Sequence, residues 1–206
     1  MTDRLEGADR FDAMLRRLAA DRVDIGWLPV DIAHAATLTT AEAEFVERAV
    51  SVRRAEFSTG RALLRGLVGR DVEILRSERG APVLPDGVVG SLAHDRGLAV
   101  AALGRASEIR AVGVDVEPLR ELDPPVAEMV VRPDDVVPDA ITAFVAKEAA
   151  YKAWSVLGGE MLEHHDVRVV ADAAGYTAEL DGTMTVRGEI GRAADRVVAL
   201  VVMPAT

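Results

Sequence analysis

Residues 144–154 read FVAKEAAYKAW, and they hold both lysines of a chain whose other twenty-two basic side chains are arginine. The segment lies inside AITAFVAKEAAYKAWSVLGG (140–159), alanine-rich and closed by Gly158 and Gly159, which predicts the strongest helix of the molecule. On such a helix Phe144, Tyr151 and Trp154 form an apolar stripe. Lys147, Glu148 and Lys152 lie together on an adjoining face, Glu148 and Lys152 one turn apart. An exposed Glu–Lys pair contributes little to stability, and arginine would serve it equally well. Two lysines within six positions therefore point to a use for a compact charge whose pKa burial can lower.

Upstream, AVGVDVEP (111–118) reads as a strand. Val112, Val114 and Val116 share one face; Gly113, Asp115 and Glu117 share the other. Two neighbouring carboxylates repel unless a positive charge stands between them, and a hard divalent cation such as Mg²⁺ would serve. Gly113 on that face leaves room for a ligand. The same pattern is equally open to an ordinary solvent-facing polar edge. In GSLAHDRG (90–97), His94 follows a Gly-Ser turn and precedes an apolar strand, with no partner visible in sequence. His34, His164 and His165 have no metal-ligand spacing.

The 206 residues carry a net charge of −10, are half hydrophobic and contain no cysteine. Disulfides and cysteine metal sites are excluded, and general binding of nucleic acid or anionic membranes is disfavoured. Residues 53–79 go against this balance: Arg53, Arg54, Arg61, Arg65, Arg70, Arg76 and Arg79 face only four acids. This basic island suits a local anionic ligand, although solvated helix faces would look the same. The charged N-terminus is no secretory signal and no apolar run spans a membrane, so a soluble cytoplasmic protein is expected.

Helices are expected over 8–20, after Thr39 or Thr40, and over 52–68. Strands are expected at DVEILRS (71–77), LAVAALG, VGVDVE, DVRVV, GYTAEL and DRVVALVVM. Residues 118–140, with five prolines, read as a long connection with one helical turn. The helices at 57–69 and 144–159 share a Phe with polar residues at +4 and +8 and a glycine end. This weak repeat predicts an α+β fold of two similar halves, 1–105 and 106–206, for which a monomer suffices.

The order and spacing of RRAEFSTGRALLR, RGAPVLPDGVVGSLAHDRG, VGVDVEP and FVAKEAAYKAW resemble the 4′-phosphopantetheinyl transferase superfamily. The G-S-L-x-H turn and V-D-x-E-P strand resemble its Sfp-type branch, and within it the enterobactin-synthetase type. The resemblance implies two α/β-sandwich halves related by a pseudo-two-fold axis, with the active site in the cleft between them. It implies Mg²⁺-dependent transfer (Mn²⁺ would also serve) of phosphopantetheine from coenzyme A to a serine of an acyl or peptidyl carrier protein, in secondary-metabolite or siderophore biosynthesis. Asp115, Glu117 and Glu148 match the metal ligands, and Glu148 or Lys152 the group that deprotonates the serine. Lys147 and Lys152 would lie against the pyrophosphate. Arg53, Arg61, Arg76, Arg79 and His94 match residues on the coenzyme A phosphates. Met129, Val130 and Val131 are the expected carrier-docking patch. An alternative, a module that binds coenzyme A or a carrier without transfer, rests on Ala93 and Asp95 flanking His94.

Overall fold

A computed structural model describes residues 2–95, 97–173 and 175–205, with side chains from residue 6 onward. The chain is α+β. Helix α1 (Thr2–Ala19) leads to strand β1 (Asp24–Pro29), a 3-10 turn (Ile32–Thr37), α2 (Thr40–Phe45) and α3 (Ser51–Val68). Strands β2 (Val88–His94), β3 (Leu98–Arg105) and β4 (Ile109–Pro118) follow, then α4 (Pro124–Val130) and α5 (Ala140–Val156). A second 3-10 turn (His164–Asp166) precedes β5 (Val167–Asp172), β6 (Gly175–Leu180), β7 (Met184–Ala193) and β8 (Arg196–Pro204).

The strands make two antiparallel sheets, ordered β1-β3-β2 and β4-β8-β7-β6-β5. Both sheets have a strand buried on its two faces, which is why LAVAALG and RVVALVVM are continuous apolar runs. Ala99, Ala101 and Leu103 of β3 meet Leu63 and Leu64 of α3. Val100 and Ala102, on the other face of β3, share a core with Phe11, Leu15 and Leu18 of α1 and with Val198 and Leu200 of β8. The far face of β8 (Val197, Ala199, Val201) packs on the alanine face of α5. The three-stranded sheet lies within 24–105 and the five-stranded sheet within 109–204, whereas α1 packs across that division. No helix among the described residues is long and apolar enough to cross a membrane.

Two packing features position the polar side chains singled out in the sequence. The first is the approach of α5 to β4. A Cβ added at Gly113 would stand 1.9 Å from the Ala149 carbonyl oxygen and 2.9 Å from the Ala153 nitrogen. Helix backbone thus fills the room that the sequence suggested for a ligand. The second is a buried knot around Glu42, which is 0 % exposed. Its carboxylate accepts from Arg65 Nη1 at 2.8 and 2.9 Å, from Ile74 N at 2.8 Å and from Thr39 N at 3.0 Å. The Thr39 hydroxyl completes a capping box with Glu42 at the start of α2.

That knot corrects the reading of DVEILRS as a strand. Ile74 donates to Glu42 and accepts from Arg61, so its backbone is spent on side chains; the segment forms only an isolated bridge, Arg76 with Pro82. The tail has four strands where three were expected. The missing one, β7, contains Gly188 and Gly191, a residue type that weakens a strand pattern. Each glycine makes room for a neighbour: a Cβ would meet the Tyr176 ring at Gly188 and the Met14 sulfur at Gly191. Strands β1 and β2 also lie where loop or unassigned chain was expected. In the connection, Met129 is exposed but Val130 is buried, which breaks the expected docking patch.

Replacing Glu42 by Gln leaves the buried Arg65 charge with only the solvent-exposed Asp71 carboxylate, 3.8 Å from its Nε. The variant is expected to lose about 3–5 kcal/mol of stability. Urea unfolding measures this directly, and a midpoint unchanged from wild type would show that the knot is dispensable.

Candidate active site

A pocket of about 620 Å³ opens between α3, the 76–82 loop, the end of β2 and the outer face of α5. Arg53, Arg61, Arg76, Arg79, His94, Glu148 and Lys152 all line it. Residues chosen from four separate stretches are therefore neighbours in space.

Helix α3 presents Arg53, Glu56, Phe57 and Arg61 at three- and four-residue spacing. Arg61 is buried; its Nε donates to the Ile74 carbonyl and its guanidinium lies 3.9 Å from the centre of the Phe57 ring. Burial lowers its pKa to about 10, which keeps it cationic at neutral pH. Arg79 donates to the Gly159 and Ser155 carbonyls at 2.8 and 3.3 Å, tying the basic loop to the C-terminal end of α5. The buried carboxylate of Glu56, which sequence reasoning passed over, accepts from Arg53 at 2.9 Å and stands 3.8 Å from His94 Nδ1. Burial holds the His94 pKa below its usual range despite Glu56, so a neutral imidazole faces the pocket.

Glu148 lines this pocket, whereas Asp115 and Glu117 are not among its lining residues; Lys152 links Asp115 to it. Asp115 is 6 % exposed; Lys152 Nζ donates to its Oδ1 at 2.7 Å and to the Val114 carbonyl at 3.1 Å. Its Oδ2 is buried without a hydrogen-bond partner among the described residues. Burial pushes the Asp115 pKa up to about 6 against the pull of Lys152. Burial, then Asp115 and Asp95, push Glu117 up to about 7. Glu148 behaves oppositely. Burial raises it, but the close approach of His164, whose Nε2 lies 3.1 Å from Oε1, and the charge of Lys152 outweigh burial and leave it below its usual value.

Asp115 and Glu117 fit a divalent cation. They share a strand face, one Asp115 oxygen is buried without a donor among the described residues, and both carboxyls are driven toward protonation, chiefly by burial. Glu148 is engaged by His164, and no group of three or more His, Asp or Glu side chains among the described residues is already arranged around a common point.

Lys147 corrects the sequence reading. It is 1 % exposed and faces away from the pocket. Its ammonium pairs with Asp135 at 2.7 Å and donates to the Val130 and His164 carbonyls at 2.7 and 2.9 Å. Three acceptors around one small ammonium explain why lysine stands here: a guanidinium would not fit. Burial still lowers its pKa, with Asp135 opposing. Tyr151 lines the pocket, whereas Phe144 and Trp154 pack on the core, so the expected aromatic stripe is split.

The residues flanking His94 both turn away from the pocket. Ala93 is part of the core under α1. Asp95 caps its own turn, accepting from Gly97 N and Leu98 N, and its other oxygen pairs with Arg196. Arg196 of β8 offsets its charge, although that charge still raises the Glu117 carboxyl.

A family model described as the 4′-phosphopantetheinyl transferase N-terminal domain matches residues 41–104, the segment from α2 through β3. The chain is 37% identical over 158 residues to the 4′-phosphopantetheinyl transferase Svp of Streptomyces mobaraensis, covering 68% of this chain and 64% of that protein, just under two thirds of its length. It is 33% identical over 163 residues to the 4′-phosphopantetheinyl transferase PptT of Mycobacterium tuberculosis, covering 71% of this chain and 72% of that protein. It is 32% identical over 163 residues to the 4′-phosphopantetheinyl transferase Npt of Nocardia iowensis, covering 73% of each.

The raised carboxyl pKa values set a pH dependence in cation-free buffer. Protons bind these groups more tightly in the fold than in the unfolded chain. Their stabilisation is complete below the unfolded values and is lost as pH rises through about 6 for Asp115 and about 7 for Glu117. Glu117→Gln removes the second step, so its melting temperature should fall less than that of wild type between about pH 5 and 8 in EDTA. Parallel curves for the two proteins would refute the assignment.

Proposed function

The chain belongs to the 4′-phosphopantetheinyl transferase family, and from that premise we propose that it transfers phosphopantetheine from coenzyme A to the serine of an acyl or peptidyl carrier protein, releasing 3′,5′-ADP. The observation that carries this reading is the single pocket in which four arginines and His94 face Glu148 and Lys152. Anion-binding groups and an ionised carboxylate within one recess are what phosphoryl transfer to a hydroxyl requires.

In the proposed reaction a serine Oγ–P bond forms, the pyrophosphate P–O bond to 3′,5′-ADP breaks, and the serine proton moves to a base. Glu148 is that base, directly or through water, because His164, 3.1 Å away, and neighbouring Lys152 keep it ionised. Lys152 acts as a donor and placed charge, already bonded to Asp115 and the Val114 carbonyl. Arg53, Arg61, Arg76 and Arg79 hold the outlying phosphates, Arg61 by a charge that burial leaves intact. His94, neutral, donates a hydrogen bond to a phosphate oxygen. Asp115 and Glu117, with Glu148 beside them, would hold Mg²⁺ or Mn²⁺, which when bound supplies positive charge against the pyrophosphate. The same proposal places the site between the halves 1–105 and 106–206, in an Sfp-type, enterobactin-synthetase-like monomer of the cytoplasm. The alternative of a binding module without transfer draws less from Ala93 and Asp95, which turn from the pocket, and the carrier assay decides between the two.

Incubation with coenzyme A, Mg²⁺ and an apo carrier protein should add one phosphopantetheine to the carrier, read by intact-mass spectrometry. EDTA should abolish the gain, and Glu148→Ala should slow it by about 10²–10⁴-fold. No mass gain on any of several carriers, with coenzyme A still bound in calorimetry, would replace the transferase by the binding module.

A further inference from the structure

Three side chains of α5 converge on one residue outside it. The Phe144 ring stacks on the His164 imidazole, with centroids 5.3 Å apart and planes 26° from parallel. Lys147, three residues on, donates its buried ammonium to the His164 carbonyl at 2.9 Å. Glu148, the next residue, places Oε1 3.1 Å from His164 Nε2. The helix that carries the carboxylate therefore grips both the backbone and the ring of the histidine beside it.

The gripped turn is itself stiff. His164–Asp166 is one 3-10 turn with a capping box in which Asp166 accepts from Glu163 N at 2.8 Å. His165 Nε2 lies 3.0 Å from the Glu128 carbonyl of α4. The second acceptor of Lys147, the Val130 carbonyl, is on α4 as well, so α4, α5 and the turn form one clamp around the imidazole. A surface loop needs no such restraint. A side chain that must hold one orientation does.

Resting on the transferase reading above, we propose that His164 is a positioning residue that orients the Glu148 carboxylate for the carrier serine. The imidazole Nε2 is buried with no formed hydrogen bond among the described residues, and in the proposed role it carries the imidazole proton and turns it toward Glu148 Oε1, 3.1 Å away. A glutamate on a helix surface has several rotamers of similar energy, and only some aim its carboxylate into the pocket. Fixing one of them before substrate arrives removes an ordering cost from the chemical step. The unusual lysine at 147 then acts on the site from a distance: it holds the backbone that holds the ring that holds the base. No local pattern reveals this, because residue 164 lies sixteen positions beyond Glu148 and at no motif spacing.

Two variants and one spectroscopic arm test the assignment. His164→Ala should lower kcat for carrier modification by about 10–100-fold, while KM for coenzyme A and its calorimetric affinity stay within about twofold of wild type. His164→Gln, whose amide N–H can take the place of Nε2–H, should restore most of that loss. A kcat for the alanine variant within about twofold of wild type overturns the proposal. So does a loss that glutamine does not restore, or a rise in KM at unchanged kcat. Independently of activity, imidazole ¹⁵N shifts should report the Nε2-protonated tautomer of His164 in wild type and a mixed tautomer in Glu148→Ala. An identical tautomer ratio in both would deny the contact in solution. Wild-type protein that modifies no carrier would instead remove the transferase reading, and the role with it, while leaving the contact to be judged by the tautomer alone.

Discussion

The contact between α5 and β4 at Gly113 sets the geometry of the whole site. Helix backbone lies so close to strand backbone there that no side chain fits between them. This contact requires small residues along the helix face, and Ala146, Ala149, Ala150 and Ala153 provide them, all fully buried. At this distance Lys152 reaches Asp115 and the edge carbonyl of Val114. The alanine richness that makes KEAAYKAW a good helix is therefore also what lets it dock. One residue more bulk on either side would move Lys152, Asp115 and Glu148 apart together.

The electrostatics of the site are those of a net acidic chain with a local reversal. Arginines are held along one wall by stacking, by carbonyls and by the end of a helix dipole. Carboxylates are held along the other by burial. The two carboxyl groups on β4 are pushed toward protonation, and the one on α5 is pulled toward ionisation. Environments that separate the behaviour of like groups allow them different tasks. Here the divergence arises from neighbours at known distances, Lys152 and His164, and from depth.

The range of each interaction decided whether the sequence revealed or concealed it. Helix α5 was legible because its period, composition and glycine end are local properties. The arginines of α3 and the carboxylates of β4 were legible because helix and strand periodicity places them on faces without reference to the rest of the fold. Strand β7 was hidden because its glycines answer to Tyr176 and Met14, which lie far away in sequence. Residues 71–77 looked like a strand because Ile74 and Leu75 are apolar, yet Glu42 and Arg61 claim the Ile74 backbone. Lys147 was misread for a related reason: the sequence marks an unusual lysine but not the direction in which it points. Its three acceptors come from Asp135, Val130 and His164, none on its own helix.

The edges of the two sheets meet at β2 and β4, yet among the described residues no ladder pairs those strands. A side chain crosses instead: the Ser91 hydroxyl accepts from Val114 N at 3.1 Å. His94 stands on one bank of this seam and Asp115, with its lysine, on the other. A ladder would have locked the banks at the fixed spacing of paired strands. A seam bridged by a hydroxyl has no such fixed gauge, and its width follows from the side chains packed along it. Substitutions along this joint would therefore change the spacing of His94 and Asp115 without altering the ladders of either sheet.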